Sequence, residues 1–294
     1  MTNTIAIFGL LVVLMAIGMP VGVALGLTVL SFMFIFTDVP LESVALKMFT
    51  GIEKFEIMAI PFFILAGNFL THGGVARRMI NFATAMVGHL RGGLGMSSVL
   101  ACALFAAVSG SSPATVVAIG SILIPAMLKQ GFSLRFASGV VASAGGLGIL
   151  IPPSIVMVMY AVTTNSSVGA LFMAGVIPGL LLAFMLGVCT WYVAKKRNFP
   201  TLPAASWGER FAAFRKAFWG LMLIVVVMGG IYSGLFTPTE AAAMSAVYAF
   251  FIAVFVYKDL TFKQIPRVLL DSANMSSMLL FIIASAVLFS FILT

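Results

Sequence analysis

Long apolar runs, separated by a few short polar places, set the pattern of this chain. Runs near 3–18, 20–36, 57–71, 136–161, 168–194, 217–236, 240–257 and 275–294 approach the roughly 20 apolar residues that carry a helix across a bilayer. Three amphipathic stretches, 38–56, 74–90 and 258–274, lie between them, and 195–216 reads as the one clear polar loop. Two further runs, 92–108 and 115–128, are short for a span. They flank the small polar patch Ser109-Gly110-Ser111-Ser112-Pro113-Ala114, so 92–128 predicts a re-entrant hairpin. A second interruption, Gly145-Gly146-Leu147-Gly148-Ile149-Leu150-Ile151-Pro152-Pro153-Ser154, predicts a broken helix with an unwound middle inside 136–161.

Main chain bared at membrane depth is tolerated only where protein buries it or where it lines a cavity. In transporters such broken segments form substrate and ion sites. At the hairpin tip, Gly110 permits unusual backbone angles and Pro113 removes a donor. Carbonyl oxygens freed there, with the hydroxyls of Ser109, Ser111 and Ser112, suit a hard cation, and the start of the returning helix suits an anion. The bland alternative at each break is a small-residue packing patch or a simple kink. Two breaks in separate segments favour a shared cation and substrate site.

Composition fixes the environment. Hydrophobic residues make up 62% and charged residues 8%, against about 25% charged in a soluble domain, and the mean hydropathy is +1.19. The runs are continuous, not the roughly ten-residue alternating segments of an outer-membrane barrel, so the expected fold is an all-α polytopic membrane protein. The net charge of +8 does not imply nucleic acid, because Lys195, Lys196, Arg197, Arg210, Arg215 and Lys216 gather in one loop, as the positive-inside rule expects. Cys102 and Cys189 lack metal-ligand spacing and read as core thiols. No basic n-region or Ala-x-Ala-like site marks a removable leader.

A shift of 218 positions lays Pro20 over Pro238, Phe63-Ile64-Leu65-Ala66 over Phe281-Ile282-Ile283-Ala284, and 38–56 over 256–274. With 195–216 placed in the cytoplasm, 74–91 and the loop holding Lys129 and Arg135 also fall inside. The first amphipathic stretch, with Asp38, Glu42, Glu53 and Glu56 against Lys47 and Lys54, falls outside. The second, with Lys258, Lys263 and Arg267, falls inside. Equivalent elements on opposite faces make an inverted repeat, a mark of secondary transporters. The same shift puts a partner for the hairpin tip beyond Thr294, so the second repeat is expected to be incomplete and the sequence truncated at its C-terminus.

Weaker features read structurally. Thr237-Pro238-Thr239-Glu240 has capping-box spacing, and Gly18, Gly22 and Gly26 make a helix-packing face. His72 and His89 read as solvated interfacial residues. Asn68 reads equally as interhelical glue or a site contact. The serines of the tip lack a His or Asp partner at depth, which weighs against a hydrolase.

The chain resembles the large membrane subunit of tripartite ATP-independent periplasmic (TRAP) transporters, the C4-dicarboxylate permease-like family. The resemblance runs in order through Ala59-Ile60-Pro61-Phe62-Phe63-Ile64-Leu65-Ala66-Gly67, Gly88-His89-Leu90-Arg91-Gly92-Gly93-Leu94, the Ser-Gly-Ser-Ser tip, Gly120-Ser121-Ile122-Leu123-Ile124-Pro125-Ala126-Met127 and Ile151-Pro152-Pro153-Ser154. It continues through Leu171-Phe172-Met173-Ala174-Gly175-Val176-Ile177-Pro178-Gly179 and Thr237-Pro238-Thr239-Glu240-Ala241-Ala242. The resemblance implies an elevator-type, sodium-coupled importer of organic anions such as C4-dicarboxylates or sialic acid, in the bacterial inner membrane. It implies no enzyme activity and no organic cofactor. A small membrane subunit and a periplasmic substrate-binding protein would be the partners, with the lipid bilayer around it and no nucleic acid.

The resemblance and the residue chemistry together give Ser109, Gly110, Ser111, Gly146, Gly148 and Pro152 as the expected sodium ligands, and Ser111, Ser112, Pro113, Pro153, Ser154 and Asn68 as the residues expected to face substrate, of which Pro113, Ser154 and Asn68 rest on residue chemistry alone. Residues 1–58 and 217–274 would be scaffold helices with amphipathic arms, 59–194 the transport domain, 195–216 a cytoplasmic loop, and 275–294 the start of a second transport-domain half. Family members continue into a second hairpin and a second broken helix, so the 294-residue chain alone is expected not to transport. The rival readings are a channel or uniporter, another cation-coupled anion transporter, and a non-transporting truncated scaffold subunit.

Overall fold

The computed structural model describes residues 2–36 and 40–293; Asp38 of the first amphipathic stretch and Thr294 lie outside them. Fourteen α-helices and no strand occur among the described residues. They are α1 (Thr2–Ala16), α2 (Val21–Phe36), α3 (Leu41–Ile52), α4 (Ala59–His72), α5 (Val75–Val87), α6 (Gly93–Ser109), α7 (Ser112–Lys129), α8 (Leu134–Gly145), α9 (Leu147–Leu150), α10 (Ile155–Thr164), α11 (Val168–Lys196), α12 (Trp207–Tyr232), α13 (Pro238–Phe251) and α14 (Ile265–Leu293). Six helical segments are long and apolar enough to cross a membrane, or seven if the bent pair 134–150 and 155–164 counts as one span. The protein is an all-α, multi-pass membrane protein.

Several ends differ from the hydropathy reading, each for a local reason. The polar loop is short, because Ser206 and Glu209 close a capping box and α12 starts at Trp207. Its first turns are the charged residues that read as loop. Helix α14 runs unbroken through the second amphipathic stretch and the last apolar run, since no Gly or Pro follows Pro266. In the first half the corresponding stretch stops at Ile52 and resumes through a 3-10 turn, Phe55–Met58. The return arm of the hairpin, α7, has 18 residues, about 27 Å at 1.5 Å per residue, and is longer than its apolar run. The second capping box is present as expected: Thr237 and Glu240 close it, with Pro238 in the first turn of α13.

Contacts divide the chain into two units, 1–57 with 273–294, and 58–272. In the smaller unit, Val29, Met33, Val44 and Leu288 form a buried cluster. Gly22 lets α2 approach α14 closely, since a methyl group there would stand 2.8 Å from the Phe281 ring. The glycine face of α2 is therefore a packing face.

In the larger unit, α4 packs along α13, and α5 packs between α6 and α12. Arg78 of α5 pairs with Asp259 and lies 3.8 Å over the Tyr257 ring, tying the start of α5 to the chain that follows α13. The far end of α5 is tied to the chain after α11, where the Leu202 N–H donates to the Gly88 carbonyl at 3.1 Å. Helix α11 exposes Ile177, Leu180 and Phe184, the aliphatic and aromatic surface expected against lipid. Cys102 is buried, but Cys189 is exposed and is not a core thiol.

Candidate functional site

The hairpin turns where the sequence breaks it. Helix α6 ends at Ser109, and Gly110 takes a left-handed conformation with φ 62°, which only glycine adopts freely. Ser111 is extended and caps α7, its hydroxyl accepting from the Ala114 N–H at 3.5 Å. Thr115, fully buried, ties the turn together. Its hydroxyl donates to the Ser111 carbonyl at 2.9 Å, which leaves its oxygen to accept from the Ser109 hydroxyl at 3.0 Å. Helix α4 backs the turn, because Gly67 lets the Ser109 backbone approach; a methyl group there would stand 3.3 Å from the Ser109 carbonyl oxygen.

The second break falls later than the glycines suggest. Gly146 is right-handed helical, with φ −58°, and helix resumes through Leu147–Leu150. The chain unwinds only at Ile151, Pro152, Pro153 and Ser154, with a cis peptide between the prolines and a 43° bend between the flanking segments. The glycines serve close approach instead. A methyl group on Gly148 would stand 2.9 Å from the Ser112 nitrogen, and one on Gly145 would strike Val116. From the other side, α11 seats the break through Gly175 and Gly179, whose methyl positions lie 2.6 Å from the Leu150 carbonyl and 2.9 Å from the Ile151 side chain.

The two breaks meet. The Gly110 carbonyl accepts from the Ile155 N–H at 3.1 Å, and a methyl group on Gly110 would stand 2.7 Å from the Pro153 carbonyl oxygen. Thus the N-terminal ends of α7 and α10 lie side by side, where the partial positive charge of both helices favours an anion. Helix ends and prolines free acceptors here: the Ser109 carbonyl closes α6 with no helical turn after it, and without an N–H Pro152 leaves the Gly148 carbonyl and Pro153 the Ile149 carbonyl outside the helical ladder. Ser154 occupies the N-cap of α10 but makes no cap bond. Its hydroxyl is fully buried and has no hydrogen-bond partner, an arrangement that calls for an explanation in a ligand or an ion.

Of the residues singled out in the sequence, Ser109, Gly110, Ser111, Ser112, Gly148, Pro153 and Ser154 sit at or beside this junction. Pro152 is buried next to it, and Pro113 is exposed in the first turn of α7. Gly146 turns away; the nearest atom to its methyl position is the Ser143 carbonyl oxygen at 3.2 Å. Asn68 is engaged in interhelical bonding, its amide donating to the Ser272 hydroxyl at 2.8 Å. Sequence reasoning missed Thr115 and Gly67. Thr115 stands four residues after Ser111, the spacing at which a helix-start hydroxyl reaches back to a carbonyl, and that signal could have found it. All the oxygen donors named here are hard ligands, suited to a hard cation and not to a thiol- or imidazole-seeking metal.

The family described as "Tripartite ATP-independent periplasmic transporter, DctM component" matches residues 8–294. The C4-dicarboxylate TRAP transporter large permease protein DctM of Rhodobacter capsulatus is 68% identical over 305 residues, covering 99% of this chain and 69% of the relative. Its namesake from Pseudomonas aeruginosa is 54% identical over 271 residues, covering 92% and 64%. The sialic acid TRAP transporter large permease protein SiaM of Vibrio cholerae is 39% identical over 287 residues, covering 98% and 67%. The chain thus spans about two thirds of the length of these relatives. With a match that runs through both interrupted helices, the chain belongs to the tripartite ATP-independent periplasmic transporter family, as its DctM or large permease component.

Proposed function

We propose that this chain serves a sodium-coupled secondary transporter of the bacterial inner membrane, carrying C4-dicarboxylates or closely related carboxylates inward. A periplasmic binding protein delivers the substrate, and a small membrane subunit completes the transporter. The work is carriage and not catalysis. Two permeases named for C4-dicarboxylates, at 68% and 54% identity, support that substrate class.

One observation carries the reading: the two helix breaks are joined by the Gly110–Ile155 bond, with the unpartnered Ser154 hydroxyl buried beside it. Sodium, as co-transported cargo, suits carbonyl oxygens at the breaks, including those of Ser109 and Gly148. The substrate carboxylate suits the paired helix starts, with Ser112 and Ser154 as hydroxyl donors. Asn68 and Gly146 play no direct part in this reading. An elevator-type movement of the helices that carry the breaks would expose the site to each side in turn.

The test uses the complete transporter, with both partners, in sealed vesicles and radiolabelled succinate. Uptake should follow an inward sodium gradient and cease when that gradient is dissipated. Removing an orphaned buried hydroxyl costs the fold little, so Ser154→Ala should keep its thermal midpoint. It should raise the half-saturating succinate concentration roughly tenfold, the worth of one hydrogen bond of about 1.4 kcal/mol. Uptake indifferent to sodium, or an unchanged succinate requirement in Ser154→Ala, would overturn the assignment.

A further inference from the structure

A second feature of the larger unit lies on the outer side of α8 and α11, away from the junction. The two helices bound a groove of about 320 Å³, lined by Val99, Phe136, Val140, Leu186 and Val193 among others, with Arg135 and Arg197 in its wall. Both arginines are exposed. No acidic residue lines the groove, and the Arg78–Asp259 ion pair lies elsewhere. Arg135 and Arg197 stand at the same end, because the neighbouring rings of Phe136 and Phe199 lie 4.8 Å apart and Phe132 packs 4.5 Å from Phe199.

Depth and charge identify the occupant. Along α11 the lining runs from Arg197 back to Leu186, about 16 Å at 1.5 Å per residue. That matches one leaflet, half of a hydrocarbon core about 30 Å thick. A small anion would use only the basic end, and a neutral lipid would leave two cations unmatched. Basic pockets between membrane helices suit anionic head groups. We propose that the groove binds an anionic phospholipid, one acyl chain along α8 and α11 and its phosphate between Arg135 and Arg197.

The full chain, purified in detergent, would be mixed with phosphatidylglycerol or phosphatidylcholine, and retained lipid counted by native mass spectrometry. Phosphatidylglycerol should be retained roughly tenfold better, since each basic side chain near an anionic head group contributes several-fold. The paired change R135Q/R197Q should abolish that preference. The groove itself is tested by Gly139→Leu: Gly139 lines it with no atom within 4 Å of its methyl position. A leucine there favours helix and should leave the thermal midpoint intact or raised while lowering retention of both lipids. Equal retention of the two lipids by the unmodified chain would overturn the proposal. So would displacement of phosphatidylglycerol by excess inorganic phosphate, or an equal loss in the charge-matched control K258Q/K263Q.

Discussion

Gly110 concentrates the constraints of the site in one residue. Its φ of 62° costs an alanine about 1–2 kcal/mol. The added methyl group would also meet the Pro153 carbonyl at 2.7 Å, a backbone atom that only moves with its whole segment. Gly148 guards the same joint from the other side, against the Ser112 nitrogen at 2.9 Å. Gly110→Ala and Gly148→Ala should each lower the thermal midpoint by several degrees and each impair uptake. Combined, they should do less harm than the sum of the two, because both push apart one contact; full additivity in a double-mutant cycle would show that the breaks do not meet. The breaks themselves were legible as Gly-Ser-Ser-Pro and Pro-Pro strings, because missing donors and permissive backbone angles are properties of residue type. The use of Gly145 and Gly148 was not, because close approach depends on which helix arrives alongside.

Among elements, the helix ends show where sequence reading worked and where it failed. Thr237 and Glu240 announce the start of α13 by spacing alone. Ser206 and Glu209 have the same spacing, yet the charges around them read as a loop, and the first turns of α12 were hidden. Helix α14 merges two patterns, amphipathic then apolar, that no Gly or Pro separates after Pro266. Helix α11 was legible as a long apolar run, but its role as the seat of the broken segment was not. Gly175 and Gly179 make that seat, and they should differ on substitution. An alanine at Gly179 meets the Ile151 Cγ1 atom at 2.9 Å, a side-chain contact, whereas one at Gly175 meets the Leu150 carbonyl oxygen, a backbone atom, at 2.6 Å. Within a helix, Gly→Ala otherwise gains about 1 kcal/mol. Gly175→Ala should therefore lower the thermal midpoint, and Gly179→Ala should lower it less.

At the scale of the molecule, the larger unit separates charge between its two ends. The chain after α11 touches the 88–92 turn through Leu202 and Gly88, and it touches the α7–α8 turn through Phe199 and Phe132. Arg91, Lys129, Arg135, Lys195, Lys196 and Arg197 are thereby gathered at one end. The opposite end holds the turn before α11 and the turn after α12, brought together where Gly169 approaches Ile231, 3.6 Å from its methyl position. Neither Ser166-Ser167 nor Ser233-Gly234-Leu235-Phe236 carries a basic residue. Both ends of α5 are fastened near basic segments, at Arg78 and at Gly88, which suits an amphipathic helix lying in the interface and not crossing it. Such asymmetry sets orientation in short loops, so the basic end should face the cytoplasm. In a Cys189→Ser background, with Cys102 buried, single cysteines at Ser133, Asn198 and Ser233 test this with a membrane-impermeant maleimide. Right-side-out vesicles should label only Ser233→Cys, and inverted vesicles only Ser133→Cys and Asn198→Cys. Labelling of Ser133→Cys and Asn198→Cys from opposite sides would contradict the shared basic end, and labelling of both from outside would reverse the orientation.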